Sequence, residues 1–372
     1  MVEPFRTLGG EERVVWDLLR LLDRRLFEIE IACNYGGPFQ NRLESLGLPL
    51  NYFRMRGKES WGAFFSLMRI IKRGDYDLIH CHGSFAGLFT RLAAFLCGRI
   101  PVIYTMHTIP NQHREWTQRR PWLGWGYVLV FHLLDQITAK VAAVSYAQLE
   151  RRLKQRPVSP GKLQVIHAGR NIDENFNPEE RNRFRDKYNI PADCFLIGIV
   201  SLLKPLKGIE TFLTALKKLI ERDDTIYGVI VGGGEKQADF INLAQRLSLR
   251  HRLIFTGEIE DAVKILPAFD AAVQPSLYEG LSITLLEYMA AGLPITASDI
   301  PSNREALTEG EEGLFFPAGD TEALTDAIAQ LHREPELRKR LGEAAARRYK
   351  RDFTSDIMVE KYAGLYLELL GR

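Results

Sequence analysis

Short apolar runs alternate along the chain with segments whose apolar positions recur every three to four residues. In the first half the runs occupy residues 27–33, 77–81, 101–106, 141–145 and 163–167. Helical patterns such as 12–25 and 61–74 separate them. Near-continuous apolar strands spaced by amphipathic helices predict a parallel sheet covered on both faces. A polar stretch, 173–194, interrupts the pattern and reads as a linker containing a short helix. The alternation restarts at 195–201, 226–234, 252–257, 271–276 and 293–298. The expected architecture is therefore α/β: two doubly wound, Rossmann-like domains facing a deep cleft, with ligands at the carboxyl ends of the strands. The expected boundaries are 1–180 and 190–350, followed by a C-terminal helix over 353–372. That helix has apolar positions at Ile357, Tyr362, Leu365, Tyr366 and Leu369 and needs an apolar surface to cover. A strand should precede the turn at 7–13, yet few residues stand before it. The first strand is either very short or entered part-way.

Composition narrows the class. The 372 residues suffice for two domains, and 46% hydrophobic with 26% charged residues is ordinary for a soluble globular protein. Cys33, Cys81, Cys97 and Cys194 are scattered without a CxxC pair, which argues against a disulfide framework or zinc site and fits a reducing, cytoplasmic compartment. Met1–Gly10 has neither the basic start nor the apolar run of a signal peptide. The longest apolar stretch, 122–134, is shorter than the roughly 20 residues a bilayer span needs. The net charge of +2 divides unevenly: residues 1–175 hold 24 Lys and Arg against 16 Asp and Glu, the remainder 25 against 31. A basic first half implies either an anionic partner, such as a membrane surface or phosphorylated substrate, or plain compositional drift.

Three polar elements follow strands in the second half. In YEGLSITLLE (278–287), Gly280 permits a turn, Ser282 or Thr284 caps a helix, and Gly292-Leu293-Pro294 stops it. Free N–H groups at such a helix start form an anion site suited to a diphosphate. Glu287 sits on this helix among apolar neighbours, so its carboxylate needs donors, either sugar hydroxyls of a ligand or an internal Arg or Lys. In SLLKPLKG (201–208), Lys204 and Lys207 stand before Gly208, where they neutralise a phosphate or remain solvated loop lysines. VGGGEK (231–236), with Gly233 at its centre, allows close backbone approach but is neither GxGxxG nor a Walker A sequence. In the first half, Gly9-Gly10 opens a helix, HCHGSFAG (80–87) follows a strand, and His107 follows another. His82 and His107 are candidate proton carriers or hydrogen-bond donors, or structural histidines. No third ligand is spaced to make a metal site with them.

Taken together these segments resemble glycosyltransferase family 4, retaining GT-B transferases that use nucleotide-sugar donors. The strongest match is 275–307, with Glu279 and Glu287 in register with the family's E-x7-E. Support comes from GGEERVVWDL (9–18), DLIHCHGSFAG (77–87), YTMH (104–107), AAVSYAQLERRL (142–153), IHAGRNID (166–173), PLKG (205–208), VGGGE (231–235) and LIFTGEIED (253–261). The resemblance implies that Glu287 binds the donor ribose, Glu279 lies beside the transferred sugar, and Gly280, Leu281 and Ser282 contact sugar and diphosphate. It places Lys207 on the diphosphate, with Lys204 nearby, His107 on the sugar or leaving group, and Gly9-Gly10 and Gly233 around the donor. His82, Ser84 and Phe85 fall on the acceptor side. Two departures stand out: Leu202 occupies the place of the family's arginine, and the turn before Asp173 is one residue longer.

A retaining hydrolase needs two carboxylates about 5 Å apart, and these two glutamates do not suit it. The resemblance implies transfer with retention, the leaving diphosphate accepting the acceptor's proton, with no cofactor and no required divalent cation. The expected partners are a nucleotide sugar and a glycan or lipid-linked acceptor, with no nucleic acid. Basic and aromatic residues over 113–131, including Arg114, Arg119 and Arg120, either rest on an anionic membrane face or enter a buried helix. The expected location is cytoplasmic, with peripheral contact on the inner face of the cell membrane under the first of these two readings. A sugar-nucleotide epimerase on the same fold and a non-catalytic nucleotide-sugar-binding subunit are the competing readings.

Overall fold

A computed structural model describes residues 1–4, 9–36, 39–53, 61–107, 121–155, 160–172 and 176–372. The chain divides into two compact units, one of residues 1–170 with 355–372, the other of 171–354.

The first unit runs α1 (Gly10–Leu21), β1 (Ile31–Asn34), α2 (Gln40–Ser45), β2 (Leu50–Phe53), α3 (Trp61–Arg73), β3 (Ile79–His82), α4 (Ser84–Leu96), β4 (Val102–Met106), α5 (Pro121–Ile137), β5 (Lys140–Ala143), α6 (Tyr146–Gln155) and β6 (Leu163–Val165). All ladders are parallel, pairing β2 with β1 and joining β3-β4-β5-β6. Val2 closes the gap between these groups by bridging both Ala32 and Cys81, with its N–H donating to the His80 carbonyl at 2.8 Å. The expected first strand is therefore present as a minimal one. It lies where the strand order reverses, which is where open α/β sheets bind ligands. β2 was not legible as a strand because it is short and half-exposed, without an apolar run.

The C-terminal helix Ser355–Leu369 belongs to this unit and packs on α1. Its buried positions are Met358, Val359, Tyr362, Leu365 and Tyr366. Ser355 Oγ donates to Asp17 Oδ2 at 2.7 Å, and Arg170 lies 3.0 Å from the same carboxylate. Asp17 is only 1% exposed, so these donors compensate its charge.

The second unit runs α7 (Pro178–Lys187), β7 (Phe195–Val200), α8 (Ile209–Arg222), β8 (Ile226–Val231), α9 (Gln237–Arg246), β9 (Leu253–Gly257), β10 (Ala271–Gln274), α10 (Ile283–Ala290), β11 (Ile295–Ser298), α11 (Pro301–Ala306), β12 (Leu314–Phe316), α12 (Thr321–Arg333) and α13 (Pro335–Asp352). The sheet order is β12-β11-β10-β7-β8-β9, all parallel. Counted from β7, this is the 3-2-1-4-5-6 order of a dinucleotide-binding sheet, with its reversal between β7 and β10. Phe212, Leu213, Leu216 and Leu219 form one stripe of α8 and bury against Ile197 and Ile230 of the sheet.

The stretch 173–194 corrects a sequence expectation. Residues 173–175 lie outside the described residues, but 178–187 is no free linker helix. Arg181 and Arg185 of α7 grip Asp270 at 2.8 and 2.7 Å, and Arg185 also donates to the Ala268 carbonyl at 3.0 Å. Within this polar helix the ion pairs hold Arg185 buried and Arg181 half-buried, while Asn182, Arg183, Asp186 and Lys187 stay exposed. Removing Asp270 strands the buried Arg185 guanidinium, a change that costs about 3–5 kcal/mol. Asp270→Ala is expected to lower unfolding stability by that order in denaturant titration; a loss below about 1 kcal/mol would return α7 to the role of a linker.

Candidate active site

The site in the second unit begins with a steric requirement. Gly208 has φ +66°, and a Cβ on it would stand 1.9 Å from the Pro275 carbonyl oxygen. Only glycine permits that approach. The Leu277 N–H donates to the Leu206 carbonyl at 2.9 Å, so the loops leaving β7 and β10 are fastened together at the switch point. Lys207 Nζ consequently meets Glu279 Oε1 at 2.6 Å. The same oxygen accepts from Ser276 Oγ at 2.7 Å and from Gln274 Nε2 at 3.1 Å.

Sequence reasoning singled out Lys207 and Glu279 but not Gln274 and Ser276. Their signal was two polar residues ending the apolar strand of β10, immediately before the Glu-Gly turn. A lysine ammonium has three donors. One is spent on Glu279, leaving two for a ligand. Glu279 Oε1 is already held by three donors, which lowers its capacity as a nucleophile.

Ser282 caps α10 by accepting from the Leu285 N–H at 3.3 Å, and Gly292 ends it in the left-handed region at φ +64°. Of the two candidate caps, Ser282 is used. The Val200 N–H donates to Tyr288 Oη at 2.6 Å, tying α10 to the end of β7. Glu287 lies farther down α10 and is 3% exposed. Gly280 and Leu281 lead into the helix start. The glycine loop after β8 is equally constrained: a Cβ on Gly232 would stand 2.0 Å from the Ser201 carbonyl, and one on Gly233 would stand 2.9 Å from the Glu258 side chain. The Leu203 N–H donates to the Gly233 carbonyl at 2.8 Å. Leu202 is 44% exposed and brings no charge; Lys204 is exposed and has no acidic partner among the described residues.

In the first unit the predicted residues gather at the carboxyl ends of the residue 1–3 segment, β3 and β4. Gly9 and Gly10 start α1. Gly83, at φ +74°, leads into Ser84 at the head of α4, and a Cβ on it would stand 3.0 Å from Glu11 Oε1. The side chain of Phe85 lies outside the described residues, as do Arg114, Arg119 and Arg120. Burial pushes the Glu11 carboxyl up to about 8; Glu12 adds to the rise and a hydrogen bond with Glu3 opposes it. This acid was not anticipated, since glutamates in a first helical turn are usually solvated.

The histidines form a column. His82 Nδ1 lies 3.1 Å from His107 Nε2, and the His80 and His82 ring centroids are 4.1 Å apart. His80 bonds Tyr366 Oη at 2.6 Å and Thr105 Oγ1 at 2.7 Å, and Thr105 meets Tyr362 Oη at 2.8 Å. The structure thus puts His82, expected on the acceptor side, in direct contact with His107. Desolvation drives His107 down to about 3 and His80 and His82 well below their ordinary value. All three rings are neutral near pH 7, so His107 is a hydrogen-bonding group rather than a cation. Among the described residues no cluster of three or more His, Cys, Asp or Glu is arranged to hold a metal ion.

These shifts set opposite pH slopes. His107 binds fewer protons folded than unfolded between about 3 and 6.5, so its stabilisation is lost as pH falls through that window, and His80 and His82 act in the same direction. Glu11 binds more protons folded than unfolded between 4.5 and about 8, so its contribution is lost as pH rises. Glu11→Gln is expected to flatten the alkaline loss by up to about 1.4 kcal/mol per pH unit in denaturant unfolding across that range. An unchanged slope would place the Glu11 carboxyl in its ordinary range.

Two family models match the chain: one for glycosyltransferase family 4 over residues 8–174, and one for glycosyl transferases group 1 over 180–348. Among curated relatives, a UDP-Gal:alpha-D-GlcNAc-diphosphoundecaprenol alpha-1,3-galactosyltransferase of Escherichia coli is 27% identical, over 89% of this chain and 86% of that protein. A putative glycosyltransferase of Bacillus subtilis, EpsD, is 28% identical over 91% and 89%. Among solved structures, Anabaena HepE in complex with UDP-glucose superposes with a TM-score of 0.85 at 20% identity, covering 99% and 98% of the two chains. The fold shared with these structures is GT-B.

Proposed function

The chain belongs to glycosyltransferase family 4, and on that footing we propose that it moves a sugar from a UDP- or GDP-sugar to a glycan or lipid-linked acceptor with retention. The proposed setting is synthesis of cell-envelope polysaccharide or glycolipid. The observation that carries this reading is the Lys207–Glu279 pair, seated at the strand-order reversal beside the capped start of α10. The two unspent donors of Lys207 and the N–H groups opening α10 suit a diphosphate. UDP-Gal in the name of the Escherichia coli relative and UDP-glucose in the Anabaena complex support a nucleotide-sugar donor.

In the proposed reaction the bond from the sugar's anomeric carbon to the diphosphate breaks, and a bond to the acceptor oxygen forms on the same face. The acceptor's proton passes to a diphosphate oxygen. The reading gives Lys207 and the α10 N-terminus the developing negative charge, Glu287 the ribose hydroxyls, and His107 a hydrogen bond to the donor. Glu279 orients Lys207 instead of attacking, because its Oε1 already accepts three hydrogen bonds. These cationic and dipolar groups supply the role a divalent ion plays elsewhere, so transfer is expected to survive EDTA. A second reading, binding without transfer, draws support from Leu202 standing where the family's arginine would.

Binding to the folded state raises its melting midpoint by mass action. A screen of nucleotide sugars is expected to give an upward shift with a UDP- or GDP-sugar. Gly208→Ala, which forces Lys207 away from Glu279, is expected to abolish it. Product from the shifting donor should keep the donor's anomeric configuration by NMR. An inverted product would overturn retention; a shift without product across a broad acceptor panel would favour the second reading.

Peripheral membrane contact is also proposed. Leu129, Val130 and Leu133 of α5 are exposed, and no helix among the described residues is long and apolar enough to cross a membrane. Replacing all three with serine is expected to release the protein from anionic vesicles in co-sedimentation. Unchanged binding would remove this face from the account.

A further inference from the structure

His82 is fully buried, and its ring Nε2 has no hydrogen-bond partner among the described residues. Its other nitrogen, Nδ1, is the one that meets His107 Nε2 at 3.1 Å. A neutral imidazole carries a single proton on one of its two nitrogens. Across this contact one ring donates and the other accepts, so two arrangements exist. In one, His107 donates from Nε2; the proton of His82 is then forced onto Nε2, a buried N–H with no acceptor. In the other, His82 donates from Nδ1, and its buried Nε2 is only an unfilled lone pair. Orphaned buried donors are rarer than under-used acceptors, and the desolvation cost of a polar hydrogen without a partner is substantial.

We infer that His82 donates through Nδ1 to His107 and holds it in the tautomer protonated at Nδ1, making His82 a positioning residue and His107 a neutral hydrogen-bond donor. The second ring nitrogen of His107 then offers an N–H to an oxygen acceptor, the chemistry of a sugar hydroxyl or a diphosphate oxygen. This part rests on the glycosyl-transfer reading; the tautomer itself does not. Desolvation of both rings keeps them neutral, as the arrangement requires.

The rest of the column explains why His82 keeps its place. Its ring packs against His80, tilted by 38° at 4.1 Å. His80 is fixed at both nitrogens, by Tyr366 of the C-terminal helix and by Thr105, which Tyr362 of the same helix also contacts. The terminal helix therefore steadies the tautomer of a residue at the far end of the column.

Long-range proton–nitrogen correlation spectra of the 15N-histidine-labelled protein at pH 7 read the tautomer directly. The expected result is a protonated-type Nδ1 and an unprotonated-type Nε2 on His107; the reverse assignment overturns the inference. His82→Phe removes the donor and is expected to redistribute the His107 proton and lower kcat about tenfold or more with little change in donor KM. His82→Asn, whose amide nitrogen can replace Nδ1, is expected to restore both. Equal loss in the two variants with the His107 tautomer unchanged would overturn the positioning role, and if His82→Phe does not fold, the wild-type and Asn spectra decide. A wild-type protein with the expected tautomer and no sugar transfer would leave the inference standing and remove the transfer reading.

Discussion

The second unit depends on one close approach, that of the Gly208 backbone to the Pro275 carbonyl. The parallel sheet brings the ends of β7 and β10 side by side, but side-by-side loops do not by themselves make a site. A residue with no Cβ, in a left-handed conformation, lets the two loops touch. That contact sets the position of Lys207, and Glu279 with its companions Gln274 and Ser276 holds the ammonium in place. The charge pair is half-buried, so it is screened less than a surface ion pair, and it leaves part of the lysine's donor capacity unspent.

The first unit uses a different device. It packs His80 under two tyrosines of the C-terminal helix and lines up buried His82 and half-buried His107 beyond it, and desolvation is what keeps the three imidazoles neutral. Asp17, Arg170 and Ser355 fasten the start of that helix to α1. A short terminal segment thus serves packing and site geometry at once, linked to His107 by hydrogen bonds to His80, ring packing of His80 on His82, and the His82–His107 contact.

The sheets were legible because strands buried on both faces leave continuous apolar runs, and 195–201 and 226–234 need no context to be read. The edge strands β2 and β12 were not: β2 is half-exposed and carries no such run, and β12, although apolar, is only three residues long. Lys207, Glu279 and Glu287 stood out because charged residues at strand ends or in apolar helices break a pattern. Gln274, Ser276 and Glu11 did not: the first two are uncharged residues that acquire a role only once the turn folds Glu279 back onto them, and Glu11 looks like an ordinary solvated first-turn acid until burial raises its pKa. The pairing of His82 with His107 was likewise invisible, as it depends on the register of β3 against β4. The helix 178–187 misled for the same reason: its arginines look solvated until Asp270, far along the chain, is brought beside them.

The central claim is that Lys207 keeps its contact with Glu279 while spending its remaining donors on a diphosphate. Calorimetric titration of UDP into wild-type protein and Lys207→Ala tests it most directly. A hydrogen bond to a charged group contributes about 1.5–3 kcal/mol, so the account expects the variant to bind UDP at least about tenfold more weakly. Equal affinity in the two proteins would contradict it.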